Sequence, residues 1–247
     1  KNNKKDIYED PKQPVEKRVD DLMQQMTLEE KVGQLLNEFG WPLYERNGKN
    51  IKLTEDAHKV VVEHGTGSLW GFMRADPWTQ KTLKSGLNPQ YAIEASNMLQ
   101  KYCIENTRLG IPMLLAEECP HGHMAIGATA FPTGIGQAST WNPDLMRQLG
   151  EAQAKEVRKQ GGHIGYGPVV DLARDPRWSR VEEGFGEDTY LAGEIGKAVV
   201  EGMQNNPDYP VISTVKHFTA YGWTEGGHNG GAAHIGENEL REVILPP

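Results

Sequence analysis

The sequence predicts an α/β fold: a (β/α)8 TIM-like barrel, incomplete in this chain, with about four to five strand–helix units. Three observations predict it. Short apolar runs alternate with longer stretches of helical periodicity. The runs start near residues 67, 111, 163 and 211, spaced by 44, 52 and 48 residues, the rhythm of parallel strands joined by right-handed helical crossovers. The polar residues able to do chemistry, Glu117-Glu118, Asp171 and Lys216-His217, gather just after successive strand ends, where such a barrel carries its active site.

A doubly wound sheet shares the alternation. However, no G-x-G-x-x-G follows the first strand, which weakens a dinucleotide-binding reading. A closed barrel needs eight strands, and the chain stops at Leu245-Pro246-Pro247 just after a helix begins, so the expectation is an unfinished barrel.

The elements follow in order. Residues 1–14 are charged and proline-bearing and read as an extended N-terminal arm. Residues 15–247 read as the partial barrel domain. Val19, Leu22, Met23 and Met26 share one helical face. Thr27 with Glu30 forms a capping-box signature for a second helix that ends, or passes into a strand, near Phe39. Residues 40–56 read as polar and irregular. Gly67–Phe72 reads as a short strand. Asn88-Pro89 supplies an N-cap and a first-turn proline for a helix to about Asn106. Ile111–Ala116 is a continuous apolar run, as buried parallel strands show. Asn142-Pro143 opens a helix that Gly161 closes. A strand is expected within 163–173, a helix over 187–205, a strand over 211–218 and a helix over 237–245.

Composition bounds the function. The 247 residues are 37% hydrophobic and 24% charged, ordinary for a globular domain, with net charge -8. Dispersed acidic charge argues against nucleic acid and anionic membranes as partners. No run of ~18 apolar residues predicts a transmembrane helix. No apolar stretch follows Lys1–Lys5, so the start does not read as an intact signal peptide; the end left by a cleaved one is the other reading, and composition leaves the compartment open. Two cysteines exclude a disulfide framework. Cys103 reads as core, and Cys119 lies in a polar turn that has room for a reactive thiol.

Four segments carry candidate chemistry. Ala116–His123 places a carboxylate pair and two histidines after a strand, and adjacent carboxylates repel unless one finds a partner or a raised pKa. Asp171–Asp188 sets three arginines among six carboxylates. That pattern suits a salt-bridged loop, or an arginine fork gripping sugar hydroxyls or carboxylates. Lys216-His217 ends a buried strand, where lysine is rare without a partner or a function. Neighbouring strand residues point to opposite faces, so both reach one pocket only if the backbone departs from regular geometry. Tyr221–Gly231 is a glycine-rich loop bearing Trp223, Glu225 and His228 and lacking a phosphate-loop pattern. Each segment alone also reads as ordinary surface structure.

Together these segments resemble family 3 glycoside hydrolases of the β-glucosidase or β-xylosidase type. The markers, in order, are RVDDLMQQMTLEEKVGQL (18–35), IPMLLAEECPHG (111–122), FPTGIGQASTWNP (131–143), GPVVDLARDPRWSRVEEGFGED (167–188), VKHF (215–218) and LREVILPP (240–247). The resemblance implies hydrolysis of terminal non-reducing β-D-glycosyl residues by a two-step retaining mechanism. It implies that Glu118, Arg180, Lys216 and His217 bind the sugar at subsite −1, with Ser179 replacing the family's usual glycine. It also implies a non-proline cis peptide beside Lys216 or His217. The family's nucleophilic aspartate lies in a motif resembling V-x-S-D-W that does not occur here, and its acid/base usually sits on a following α/β domain. The expectation is therefore no catalytic residue within these 247. The implied partners are a glycoside or oligosaccharide substrate and the remainder of the same enzyme. No cofactor or metal is implied, and the implied location is periplasmic or extracellular, as for exported polysaccharide-degrading members.

The N-acetylglucosaminidase branch resembles KHFPGHG. Here the text is KHFTAYGWTEGGHNG, which sets a histidine acid/base aside and leaves His228 a remote candidate. Two other readings compete: a non-catalytic carbohydrate-binding remnant, and a metal-dependent amidohydrolase-like barrel using His121-x-His123.

Overall fold

The computed structural model describes residues 5–247. Strands β1 (Asn37–Phe39), β4 (Ser68–Trp70), β5 (Leu114–Glu118), β6 (Ile164–Val169) and β7 (Ile212–Lys216) form one all-parallel sheet in the order β1-β4-β5-β6-β7. A separate antiparallel hairpin, β2 (Tyr44–Asn47) with β3 (Asn50–Leu53), sits between β1 and β4. Five parallel strands in sequential order, each followed by its crossover, form an open arc of a barrel.

The helices start where local chemistry dictates. Helix α1 (Val15–Gln25) precedes α2 (Leu28–Gly33), whose capping box is complete: Glu30 N donates to Thr27 Oγ1 at 3.2 Å and Thr27 N to Glu30 Oε2 at 2.9 Å. Asn88 caps α4 (Pro89–Asn106), Asn142 caps α6 (Pro143–Gln160) and Asp188 caps α7 (Thr189–Gln204), each accepting from a backbone N–H three residues on. Gly161, at φ 103°, closes α6 in the left-handed region. A short helix α3 (Glu55–His58) passes into a π-helical turn over Lys59–Glu63, α5 spans Gly134–Ala138, and α8 (Glu237–Glu239) passes into a second π turn over Leu240–Ile244. No helix of the described residues is long and apolar enough to cross a membrane.

One face of the sheet is packed. Leu69 and Leu115 lie against Ala95, Leu99 and Cys103 of α4 and Val60 and Val61 of the α3 turn. Each fully buried aliphatic side chain there contributes about 1.5–3 kcal/mol. A second cluster joins α6 and α7 through Met146, Val157, Ile195 and Met203. These two helices approach closely because glycine faces backbone: a Cβ on Gly202 would lie 2.1 Å from the Arg147 carbonyl oxygen, and one on Gly150 2.5 Å from that of Val199.

Three expectations change. Residues 44–53 are a hairpin rather than irregular chain, with Gly48 at φ 61° in its two-residue turn. Strand β5 starts three residues late, because the Gln100 side chain takes both polar groups of Met113: Met113 N donates to its Oε1 and the Met113 carbonyl accepts from its Nε2. Glu117 and Glu118 therefore belong to the strand itself. Of the expected extended arm, residues 1–4 lie outside the described residues. Residues 6–13 run through successive turns, held where Tyr8 Oη donates to the Leu109 carbonyl and Arg18 Nε to the Tyr8 carbonyl.

Candidate functional site

Strand register sorts the side chains. Phe39 lies beside Trp70, Trp70 beside Ala116, Glu118 beside Tyr166, and Tyr166 beside Thr214. Because neighbours on a strand alternate in direction, Glu118 shares the open face with Trp70 and Tyr166, while Glu117 points under the helices. The carboxylate pair is thus split. Glu117 is fully buried. Its Oε1 accepts from Met73 N at 3.0 Å, and its Oε2 has no hydrogen-bond partner. Burial, with the Glu118 charge adding to it, pushes the Glu117 pKa up to about 8.

Glu118 is held by donors from two strands. Its Oε2 accepts from Lys216 Nζ at 2.7 Å and its Oε1 from the Trp70 indole N–H at 3.0 Å, with Arg74 Nη1 at 4.0 Å. Lys216 ends β7. The Lys216–His217 peptide is cis, as is Phe218–Thr219, and both Lys216 and His217 line the same cavity. Asp171 Oδ2 accepts from His217 Nδ1 at 2.5 Å and from His217 N at 3.3 Å. With Nδ1 donating to the carboxylate, Nε2 is the nitrogen left for a ligand. Arg180 grips Glu183 in a two-pronged pair, Nε to Oε1 at 2.7 Å and Nη2 to Oε2 at 2.6 Å, and lies 5.4 Å over the Tyr221 ring. That pair raises the Arg180 pKa. Burial pushes the Glu183 carboxyl up, but Arg180, with Lys216 and His217 nearby, outweighs it and holds the pKa low.

Glu118, Arg180, Lys216 and His217 all line one open cavity of about 930 Å³ at the C-terminal ends of the strands, with Trp70, Arg74, Trp78 and Tyr166. Buried carboxylates, fixed cations and aromatic faces together suit a neutral, hydroxyl-rich, ring-shaped ligand. Of the glycine-rich loop, Asn229 reaches the cavity and accepts from the Trp178 indole. Trp223 stacks with Arg174 instead, and His228 is not a lining residue. His121 lines the cavity, but His123 is buried with neither ring nitrogen bonded, and burial pushes its pKa down to about 4. Among the described residues no three His, Cys, Asp or Glu side chains form a metal-holding group. Cys119 is not in a reactive setting: it is buried, and burial raises its thiol well above the usual range.

Residues 27–247 match the family model described as the glycosyl hydrolase family 3 N terminal domain. The chain belongs to glycosyl hydrolase family 3. It is 32% identical over 232 residues to a periplasmic β-glucosidase of Salmonella typhimurium, covering 93% of this chain and 26% of that protein. It is 30% identical over 258 residues to a periplasmic β-glucosidase/β-xylosidase of Dickeya chrysanthemi, covering 97% of this chain and 38% of that protein. A solved β-glucosidase from Erythrobacter marinus superposes with TM-score 0.81 at 31% identity, covering 97% of this chain and 30% of that one. The chain thus spans 26% to 38% of the length of these family 3 proteins. The fold expectation holds: a parallel α/β sheet of five strands, part of a family 3 barrel domain.

Sequence reasoning did not single out several lining residues, among them Trp70, Arg74, Trp78 and Tyr166. Trp70 and Tyr166 carried a signal, each being the polar-tipped aromatic at an inward-facing position of an otherwise apolar strand. Arg74 and Trp78 lie in an irregular connection and carried none.

Proposed function

We propose that this chain supplies the sugar-binding half of subsite −1 in a family 3 enzyme that removes terminal non-reducing β-D-glucosyl or β-D-xylosyl residues with retention of configuration. One observation carries the reading: Glu118 and Lys216, from strands two places apart in the sheet, meet at 2.7 Å in the cavity that also holds Arg180 and His217. Such a cluster binds hydroxyls. The Glu118 oxygens each keep a lone pair for a sugar O–H, the Lys216 and Arg180 cations donate to sugar oxygens, and His217 offers Nε2.

A retaining mechanism needs two carboxyl groups about 5–5.5 Å apart on either side of the scissile bond. In this reading neither is among the four binding residues. The attacking aspartate belongs to a V-x-S-D-W-like motif, absent from these 247 residues, and the acid/base to a further α/β domain. The four residues hold the ring against which those groups act. Binding energy realised at the ring positions the anomeric carbon, which is where such contacts earn rate. The periplasmic relatives support an exported, periplasmic or extracellular, location.

Two measurements test the proposal. Titration calorimetry with D-glucose and D-xylose should give saturable binding to the protein. A p-nitrophenyl β-glycoside assay should show no more than background release. Hydrolysis at the rate of a complete family 3 enzyme would sink the division of labour, and no binding of either sugar would sink the pocket.

A further inference from the structure

Tyr221 is not a lining residue of the Glu118 cavity, yet its ring meets two residues that are. The imidazole of His217 packs against it edge-on, with ring centroids 4.8 Å apart and an interplanar angle of 67°. The Arg180 guanidinium lies 5.4 Å from the centre of the same ring, and the Tyr221 hydroxyl adds to the rise in the Arg180 pKa. Each of these side chains already has one polar anchor: His217 has Asp171, and Arg180 has Glu183. One anchor leaves a side chain free to swing about it. The terminal torsion of an imidazole is broad, and arginine is rich in rotamers. The Tyr221 ring is a second wall for both.

Tyr221 is itself firmly seated. Its ring packs edge-on against the buried Trp178, with centroids 5.4 Å apart at 84°. The Trp178 indole N–H donates to Asn229 Oδ1 at 3.0 Å, which ties the loop after β6 to the loop after β7. Gly222 lets the two loops meet, because a Cβ there would lie 2.7 Å from the Leu172 carbonyl oxygen. Ala220, at φ 63°, turns the chain just before it. A non-glycine residue stays in the left-handed region only where its surroundings over-determine it. This turn brings Tyr221 back against His217, four residues earlier.

We infer that Tyr221 is a positioning residue for the sugar pocket: its ring sets the direction of His217 Nε2, and its ring and hydroxyl together set the Arg180 fork. The inference rests on the sugar-pocket reading above and goes beyond it, because it assigns a role to a side chain outside the cavity. Affinity gained in this way comes from freedom lost before the sugar arrives, not from a new contact.

The test compares the unaltered protein with Tyr221→Leu and Tyr221→Phe in calorimetric titrations with D-glucose and D-xylose. Tyr221→Leu weakens whichever sugar the parent binds by about tenfold or more, as a displaced pair of polar groups should. Tyr221→Phe restores affinity to within about threefold, short only of the hydroxyl at Arg180. Proton–nitrogen spectra of the arginine side chains give a reading without ligand. The Arg180 Nε–H exchanges faster with water in both variants, while that of Arg74, held by Asp76, keeps its rate. A role in packing alone would lower the thermal midpoint of Tyr221→Leu and leave both its affinity and the Arg180 signal as they are. Should Tyr221→Leu fail to fold, Tyr221→Phe decides through the Arg180 signal. A folded Tyr221→Leu that binds as the parent does, or an Arg180 exchange rate unchanged in Tyr221→Phe, overturns the positioning role while leaving the pocket standing. Failure of both sugars to bind the parent overturns the pocket, and the positioning role with it.

Discussion

Glu117→Gln isolates one buried proton. In the folded protein the Glu117 carboxyl has a pKa of about 8 against an ordinary value of 4.5. A carboxyl whose pKa is raised by folding favours the native state fully below pH 4.5. Above that pH the unfolded chain releases the proton and the folded one keeps it, so stability falls as pH rises. The slope is ~1.4 kcal/mol per pH unit, and the loss levels off once pH passes 8, at ~5 kcal/mol in all. Against a typical domain stability of about 5–15 kcal/mol, that is a large fraction.

Glutamine keeps the shape and keeps an acceptor for Met73 N, and it cannot ionise. At pH 4.5 the variant should match the parent within about 1 kcal/mol. At pH 8.5 it should be several kcal/mol more stable than the parent. Urea unfolding at pH 4.5, 6, 7 and 8.5 measures both, and taking the difference between the two proteins cancels the titrating groups that are not coupled to Glu117. A difference that stays constant from pH 4.5 to 8.5 would refute the assignment of a neutral buried acid.

Three further outcomes are expected. Lys216→Met leaves Glu118 without its 2.7 Å partner and should weaken monosaccharide binding more than tenfold by calorimetry; unchanged affinity would remove Lys216 from the site. Gly202→Ala forces a Cβ to within 2.1 Å of the Arg147 carbonyl oxygen and should lower stability by about 1–3 kcal/mol, seen as a reduced thermal midpoint; an unchanged midpoint would mean that α6 and α7 are not in close contact. Cys103 and Cys119 are both buried with raised thiol pKa values, so a thiol-specific aromatic disulfide reagent should label neither in the native protein and both after unfolding. Rapid native labelling would contradict their burial.

What the sequence made legible is what local chemistry decides. Asn88-Pro89, Asn142-Pro143 with Gly161, and the Thr27/Glu30 box each act within a turn or two of themselves, and the structure forms all of them. Chain-distant partners decide the rest. The start of β5 was misread because its competitor is the side chain of Gln100, thirteen residues earlier on a helix. Residues 44–53 read as irregular because one polar residue follows another there, although Asn47-Gly48 is a hairpin signal. In the site, Asp171 and His217 were both noticed, but their pairing across 46 residues was not legible. Nor was the Trp70 contact with Glu118 across 48 residues. Both pairings exist only once parallel strands have brought their ends together.

The opposite orientation of Glu117 and Glu118 has a consequence for how β5 tolerates change. Two neighbouring residues of one amino-acid type answer to different demands, one to the protein's interior and the other to whatever enters the cavity. Replacing Glu118 by aspartate or asparagine alters the cavity wall and leaves the buried side of the strand, where Glu117 meets Met73 N, untouched. Replacing Glu117 does the reverse. Inserting or deleting one residue in β5 does neither cleanly. It would exchange the two roles at once, pointing a charge into the helices and a buried-type acid at the ligand. The strand can therefore diversify by substitution at one of its two faces, and its length is the property least free to vary.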